Sequence, residues 1–205
     1  MNLYQKRVVR YPLINSEGAV REMNHKLTEQ DLELLKYPIG KFTAVENRTE
    51  EARQESIRIM KQLAAELREA VGPLTAEQLD TPYRPGGWTV SQVVHHLADT
   101  GMYAYLRFKR GLTEEAPQVP SYRQDLWAEQ SDYTDEPAES SLQLVELLNR
   151  RFATLLTSLK PGDYDRSFVS AGLGTLTLDA AIQRYIWHSR HHLAQITSLI
   201  QRNSW

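Results

Sequence analysis

Four stretches of the chain place apolar residues three and four positions apart, the spacing that lines one face of a helix. The first runs from about Thr49 to Val71, with Ile57, Met60, Leu63, Ala64 and Leu67 in phase, and stops at Gly72-Pro73. The second opens on Thr89-Val-Ser-Gln92, a capping-box pattern, and continues to about Leu112. The third opens at Ser140-Ser-Leu-Gln143 and ends before Pro161-Gly162; the fourth extends from about Leu178 to Arg202. Between the second and third lies a long connection, TEEAPQVPSYRQDLWAEQSDYTDEPAE, interrupted by three prolines. Weaker signals fill the rest. Thr75-Ala-Glu-Gln78 predicts a single capped turn, PYRPGG (82–87) a loop, and FVSAGLGTLTL (168–178) a small hairpin or loop. TEQDLELL predicts a short helix and YPIGKF (37–42) an extended segment around Pro38.

Four long helices with little strand predict an all-α fold, a four-helix bundle with a long crossover between helices 2 and 3. Residues 1–36 read as a polar N-terminal extension in which Met23 is an alternative start, and residues 37–205 as the bundle.

Composition narrows what such a bundle can do. The 205 residues are 41% hydrophobic and 24% charged, ordinary for a globular protein, with a formal charge of −2. Lys and Arg are scattered, so the basic footprint of a nucleic-acid binder is missing. The start lacks the apolar core of a signal peptide and no run reaches the length of a membrane span, which makes a cytoplasmic protein with no membrane partner the expectation. There is no cysteine, which leaves His, Asp and Glu as metal ligands.

Three of the six histidines crowd into YIWHSRHHLAQI (185–196). On a helical wheel at about 100° per residue, His188 and His192 fall about 40° apart at one flank of the apolar arc. His191 and Trp187 fall outside that arc, toward solvent. In VVHHLADTGMYAYLRF, His96 sits at the edge of the apolar stripe, on a ridge with Thr100, Tyr103 and Arg107, whereas His95 lies nearly opposite and is expected to be solvated. His25 sits in the polar extension and reads as a surface residue.

Two histidines at i, i+4 point at one spot across a single helical turn, the basis of the H-E-x-x-H zinc helix, although H-S-R-H-H lacks its glutamate base. A third imidazole from another helix would make a three-His site with open positions for water or substrate. Imidazole ligation suits zinc and also admits nickel, cobalt or iron. The same positions would equally suit histidines that only hydrogen-bond along a helix flank.

Three blocks, YPIGKF (37–42), LDTPYRPGGWTVSQVVHHLADTGMYAYLRFKRGLTEEAP (79–117) and YIWHSRHHLAQI (185–196), resemble the YfiT-type metal-dependent hydrolases of the DinB superfamily. The resemblance extends from about Tyr37 to the C-terminus. It implies a four-helix bundle with one long crossover, one divalent metal per subunit, zinc first and nickel next, and a cytoplasmic homodimer acting on a small-molecule substrate. Carried over by motif, the metal ligands are His96, His188 and His192. The family tail reads H-S-H-H-H where this chain has Arg190, a position that is not a ligand in this scheme.

The resemblance makes hydrolysis the leading expectation, with the metal activating water. An alternative is metal-dependent thiol S-transfer of the bacillithiol-transferase kind, in which the cosubstrate brings the sulfur; a further one is a non-catalytic, metal-stabilised bundle. The catalytic acid or base is not named by the sequence: Asp99 lies about 60° from His96 on the wheel and reads as a solvated residue. Thr100, Tyr103 and Arg107 are the pocket candidates, Arg107 as an anchor for an anion. Trp88 and Trp187 read as packing residues.

Overall fold

The computed structural model describes residues 27–205 in full, and before them only the backbone of two short strands, β1 (Pro12–Ile14) and β2 (Val20–Glu22), which pair antiparallel. Met23 and His25 lie outside the described residues, as does most of the predicted extension.

Helix α1 (Glu29–Lys36) opens on Thr28, whose hydroxyl accepts from the Asp31 amide while the Asp31 carboxylate accepts from the Thr28 amide. The YPIGKF segment is a turn rather than an extended run. Its Gly40 amide closes back on the Tyr37 carbonyl at 3.0 Å, and Gly40 takes φ +75°, a conformation that glycine reaches without a Cβ clash.

Four long helices form the bundle: α2 (Glu50–Val71), α4 (Val90–Thr113), α7 (Ala138–Thr157) and α8 (Leu178–Asn203). Thr49, Thr89 and Thr177 cap three of them by accepting from the amides of Ala52, Gln92 and Ala180, a contribution of about 1 kcal/mol each. The fourth, α7, begins two residues before the expected Ser140. Pro137 is its N-cap, with extended φ and ψ and no side-chain cap. A single turn, α3 (Ala76–Leu79), lies between α2 and α4.

Each of α2 and α4 packs on both α7 and α8, which puts α2 diagonal to α4 across the bundle. The crossover from α4 to α7 has structure of its own: β3 (Gln118–Val119) and the short helices α5 (Gln124–Trp127) and α6 (Ser131–Thr134). The expected hairpin forms as β4 (Ser167–Ser170) and β5 (Gly174–Thr177), and β3 adds to β4 in parallel, a pairing between distant segments that local alternation does not announce.

The core divides in two along the bundle axis. One cluster gathers Leu67, Val71, Val90, Val94, Leu97, Leu142, Ile196 and Leu199. The other gathers Ile57, Met60, Phe108, Phe152, Leu156, Leu178, Ile182 and Tyr185. Low numbers on α4 therefore meet high numbers on α8, so these two helices run antiparallel. Residues 96, 188 and 192 fall between the clusters, where polar groups interrupt the apolar interior.

Candidate metal centre

The antiparallel pairing brings the inner ridge of α4 against the flank of α8 that carries the i, i+4 histidines. His188 Nε2 lies 3.2 Å from His96 Nε2 and 3.2 Å from His192 Nε2. One ring nitrogen from each of the three residues lies within 4.8 Å of the other two. Two nitrogens bound to one zinc at about 2.0–2.1 Å and a tetrahedral angle stand about 3.3 Å apart, so the spacing fits a shared cation. Neutral imidazoles carry one N–H each, and three nitrogens aimed at one point cannot all be satisfied by each other.

The environment keeps these rings uncharged. His96 is 1% exposed, and burial pushes its pKa down to about 4. His188 and His192 are held well below the ordinary histidine value, again chiefly by burial and then by the neighbouring imidazoles. Unprotonated rings offer the lone pairs a divalent metal needs. Two of the rings are oriented from outside, whereas His188 Nδ1 is buried without a partner among the described residues. His192 Nδ1 lies 2.8 Å from the Gln195 carboxamide oxygen, and the Gln195 NH2 group donates to the Lys36 carbonyl and reaches His191 Nε2 at 3.0 Å. With the amide held that way, Nδ1 of His192 carries the proton and Nε2 faces the cluster. Tyr122, on the crossover, places its hydroxyl 3.4 Å from His96 Nδ1 and 3.0 Å from the Thr100 hydroxyl, which itself lies 3.3 Å from His96 Nε2. Trp88 closes one side, its ring centre 4.7 Å from that of His96.

His95 and His191, expected in solvent, are 5% and 6% exposed. The wheels treat α4 and α8 as if only the bundle covered them, and two short segments cover the outer faces. Tyr133 of α6 packs on His95, whose Nδ1 lies 2.8 Å from the Ser141 hydroxyl. Tyr37 and Trp187 flank His191. Asp99, expected to be solvated, is half-buried and accepts a hydrogen bond from the Tyr133 hydroxyl. No carboxylate joins the histidine cluster among the described residues.

A small cleft of about 80 Å³, open to solvent, adjoins the centre with His188 and Thr100 in its wall. Phe108, Phe152, Phe168 and Leu176 make it apolar, and Arg107 and Arg184 stand at its border. His188 is the member of the three that keeps some exposure, so the centre is approached from this side. Tyr103 does not line the cavity. Its ring stacks on Tyr122 with centroids 4.6 Å apart, and the Arg107 guanidinium lies over it.

Residues 59–196 match the DinB superfamily. The chain belongs to that superfamily. Within it, a Bacillus mycoides (strain KBAB4) protein named "putative metal-dependent hydrolase" is 46% identical over 171 residues, covering 83% of this chain and 98% of the relative. A Bacillus cereus (strain AH820) protein of the same description matches to the same extent. Among solved structures, YfiT from Bacillus subtilis, titled "a probable metal-dependent hydrolase with an unusual four-helix bundle topology", superposes with a TM-score of 0.82 at 42% identity, covering 84% of this chain and 99% of that one. The resemblance to YfiT-type proteins thus extends over the whole bundle, and the fold is a DinB-type four-helix bundle.

Of the groups around the centre, the sequence reading missed Gln195, Tyr122 and Ser141. Gln195 had a signal, a polar residue on the apolar arc of α8 one turn beyond both His191 and His192. Tyr122 had none, since the crossover has no period from which a facing direction can be read.

Proposed function

We propose that this protein is a metal-dependent hydrolase in which His96, His188 and His192 hold one divalent cation, zinc in the first instance, at the inner end of the cavity. The observation that carries this is the convergence of three imidazoles held uncharged, two buried and one half-buried, on one point beside an apolar cleft open to solvent. A metal held by three histidines keeps positions for water and substrate, brings the pKa of water toward neutrality and polarises a carbonyl. The chain's own groups do the rest. Gln195 and Tyr122 hold the rings of His192 and His96 in place, and the Thr100 hydroxyl stands beside His96 where it can hydrogen-bond to a bound group. Phe108, Phe152 and Phe168 give the cleft an apolar wall.

The test is elemental analysis joined to a screen of ester and amide hydrolysis on the same preparation. The expected outcome is about one metal per chain, with His188→Ala losing metal and hydrolysis together. A His188→Ala protein that keeps its full metal complement would overturn the ligand set.

A second reading is metal-dependent transfer of a low-molecular-weight thiol. The absence of a carboxylate from the cluster, among the described residues, favours it, because a metal-held thiolate is already deprotonated and needs no general base. Loss of an electrophile such as monochlorobimane only when thiol is added supports transfer, whereas product formed without thiol supports hydrolysis.

A further inference from the structure

Among the described residues, two arginines border the cavity without an acidic partner. Arg107 comes from α4 and Arg184 from α8, and both line the same apolar space as His188. Their bonds are few. Arg107 donates through one terminal nitrogen to the Pro120 carbonyl and lies over the Tyr103 ring, while Arg184 lies over the Phe42 ring. Among the described residues neither guanidinium has an ion pair, and Arg107 Nε is buried with no partner at all. Other arginines of this chain, Arg48, Arg53, Arg68 and Arg110 among them, are each paired with a carboxylate. Burial lowers the pKa of both cavity arginines, and the charge of Arg184 lowers Arg107 further, so the two cations are near enough to repel. Two like charges left together against phenylalanine side chains cost free energy unless an anion is placed between them.

We propose that the cavity takes a small molecule with an apolar body and one compact oxyanion, a carboxylate or a phosphate, which Arg107 and Arg184 grip while the opposite end meets His188. The planar guanidinium fork suits either oxyanion. Arg184 stands one helical turn from His188 on α8, about 6 Å along the axis, and Arg107 stands about 16 Å from His96 on α4. The anion therefore binds toward the end of the cavity away from the histidines, and the apolar body lies against Phe108, Phe152 and Phe168. As an account of the substrate this rests on the metal-hydrolase reading, but anion binding itself requires no bound metal.

The test uses the full chain after chelator treatment, with helical content checked by circular dichroism. Calorimetric titration compares 4-phenylbutyrate, 3-phenylpropyl phosphate and the uncharged 4-phenylbutanamide. The expected result is that at least one of the anions binds about tenfold or more tighter than the amide, since each charge-assisted bond to a desolvated guanidinium is lost with the charge; the tighter anion identifies the natural group. The folded Arg107→Gln/Arg184→Gln double variant, chelator-treated in the same way, should lose this discrimination. Equal binding of anion and amide, no binding of either anion, or discrimination that survives in the double variant would overturn the proposal. Because these readouts are taken without metal or turnover, they are independent of whether any ester or amide is hydrolysed.

Discussion

Gln195 fixes His192 from behind: its carboxamide oxygen lies 2.8 Å from His192 Nδ1, and its nitrogen donates to the Lys36 carbonyl at 2.8 Å. One side chain thereby connects the end of α1 to the proposed ligand set, and the carbonyl on α1 dictates which way the amide points. Partners of this kind typically carry a 10- to 100-fold share of metal affinity. Gln195→Leu, nearly isosteric but unable to accept the Nδ1 proton, should weaken zinc binding by about that factor in a chelator competition. Gln195→Glu, which still accepts, should stay within a few-fold of the parent. Equal weakening by both substitutions would mean that Gln195 acts by packing alone.

Acid should destabilise the metal-free protein in a defined window. Histidine in an unfolded chain titrates near 6.5, whereas His96 in the bundle is held at about 4 and His188 and His192 well below their ordinary value. Below pH 6.5 the unfolded chain takes up protons that the folded one refuses, so stability falls as pH falls, by up to about 1.4 kcal/mol per pH unit for each such ring. The His96 share levels off once pH passes about 4. Above pH 7 these rings contribute no slope. Urea midpoints of chelator-treated protein should therefore be flat from pH 8 to 7 and drop steeply between pH 6 and 5; a His96→Phe variant should show a shallower drop. A midpoint that stays constant through pH 5 would show that the rings are not held neutral.

Helical phase could be read from the sequence because it depends on near neighbours. The apolar stripes of α2, α4 and α8 appear where their spacing predicts them, and the wheel places His96, His188 and His192 on inward flanks that the fold brings together. The outer faces could not be read. His95 and His191 are covered by Tyr133 and Tyr37, from segments whose periodicity is too short to give a facing direction. Asp99 was misjudged for the same reason, since its partner comes from α6 in the crossover. The parallel pairing of β3 with β4 joins residues about fifty positions apart, and two-residue strands carry no alternation to announce it.

The ion pairs of Asp179 and of Glu55 should differ sharply in weight. Asp179, in the first turn of α8, meets Arg48 and Arg53 at 3.4 and 3.2 Å, with side chains no more than 16% exposed. Arg48 also donates to Ser56 and to the Ala52 carbonyl. Asp179→Ala strands two largely buried cations and should cost about 3–5 kcal/mol. Glu55→Ala removes an exposed partner of Arg58 on the same helix and should cost less than about 1 kcal/mol. Chemical denaturation of the two variants side by side checks the ranking, and equal losses would contradict it.

Asp99 is the acidic residue that a hydrolytic mechanism would first recruit, one turn from His96 on α4, yet its carboxylate is engaged elsewhere. It accepts the Tyr133 hydroxyl, and burial raises its pKa while that same bond opposes the rise. Tyr133 packs in turn on His95, so the trio clamps α6 onto the outer face of α4. A clamp and a base respond differently to substitution. Tyr133→Phe leaves the half-buried carboxylate without its donor and should cost about 1–3 kcal/mol of stability, with metal content unchanged. Asp99→Asn keeps an acceptor for Tyr133 and should leave both metal content and turnover within a few-fold of the parent. If Asp99→Asn instead lowered turnover by more than about a hundredfold, the scale at which general acid–base groups act, while stability held, then Asp99 would be serving the reaction and the clamp would be incidental.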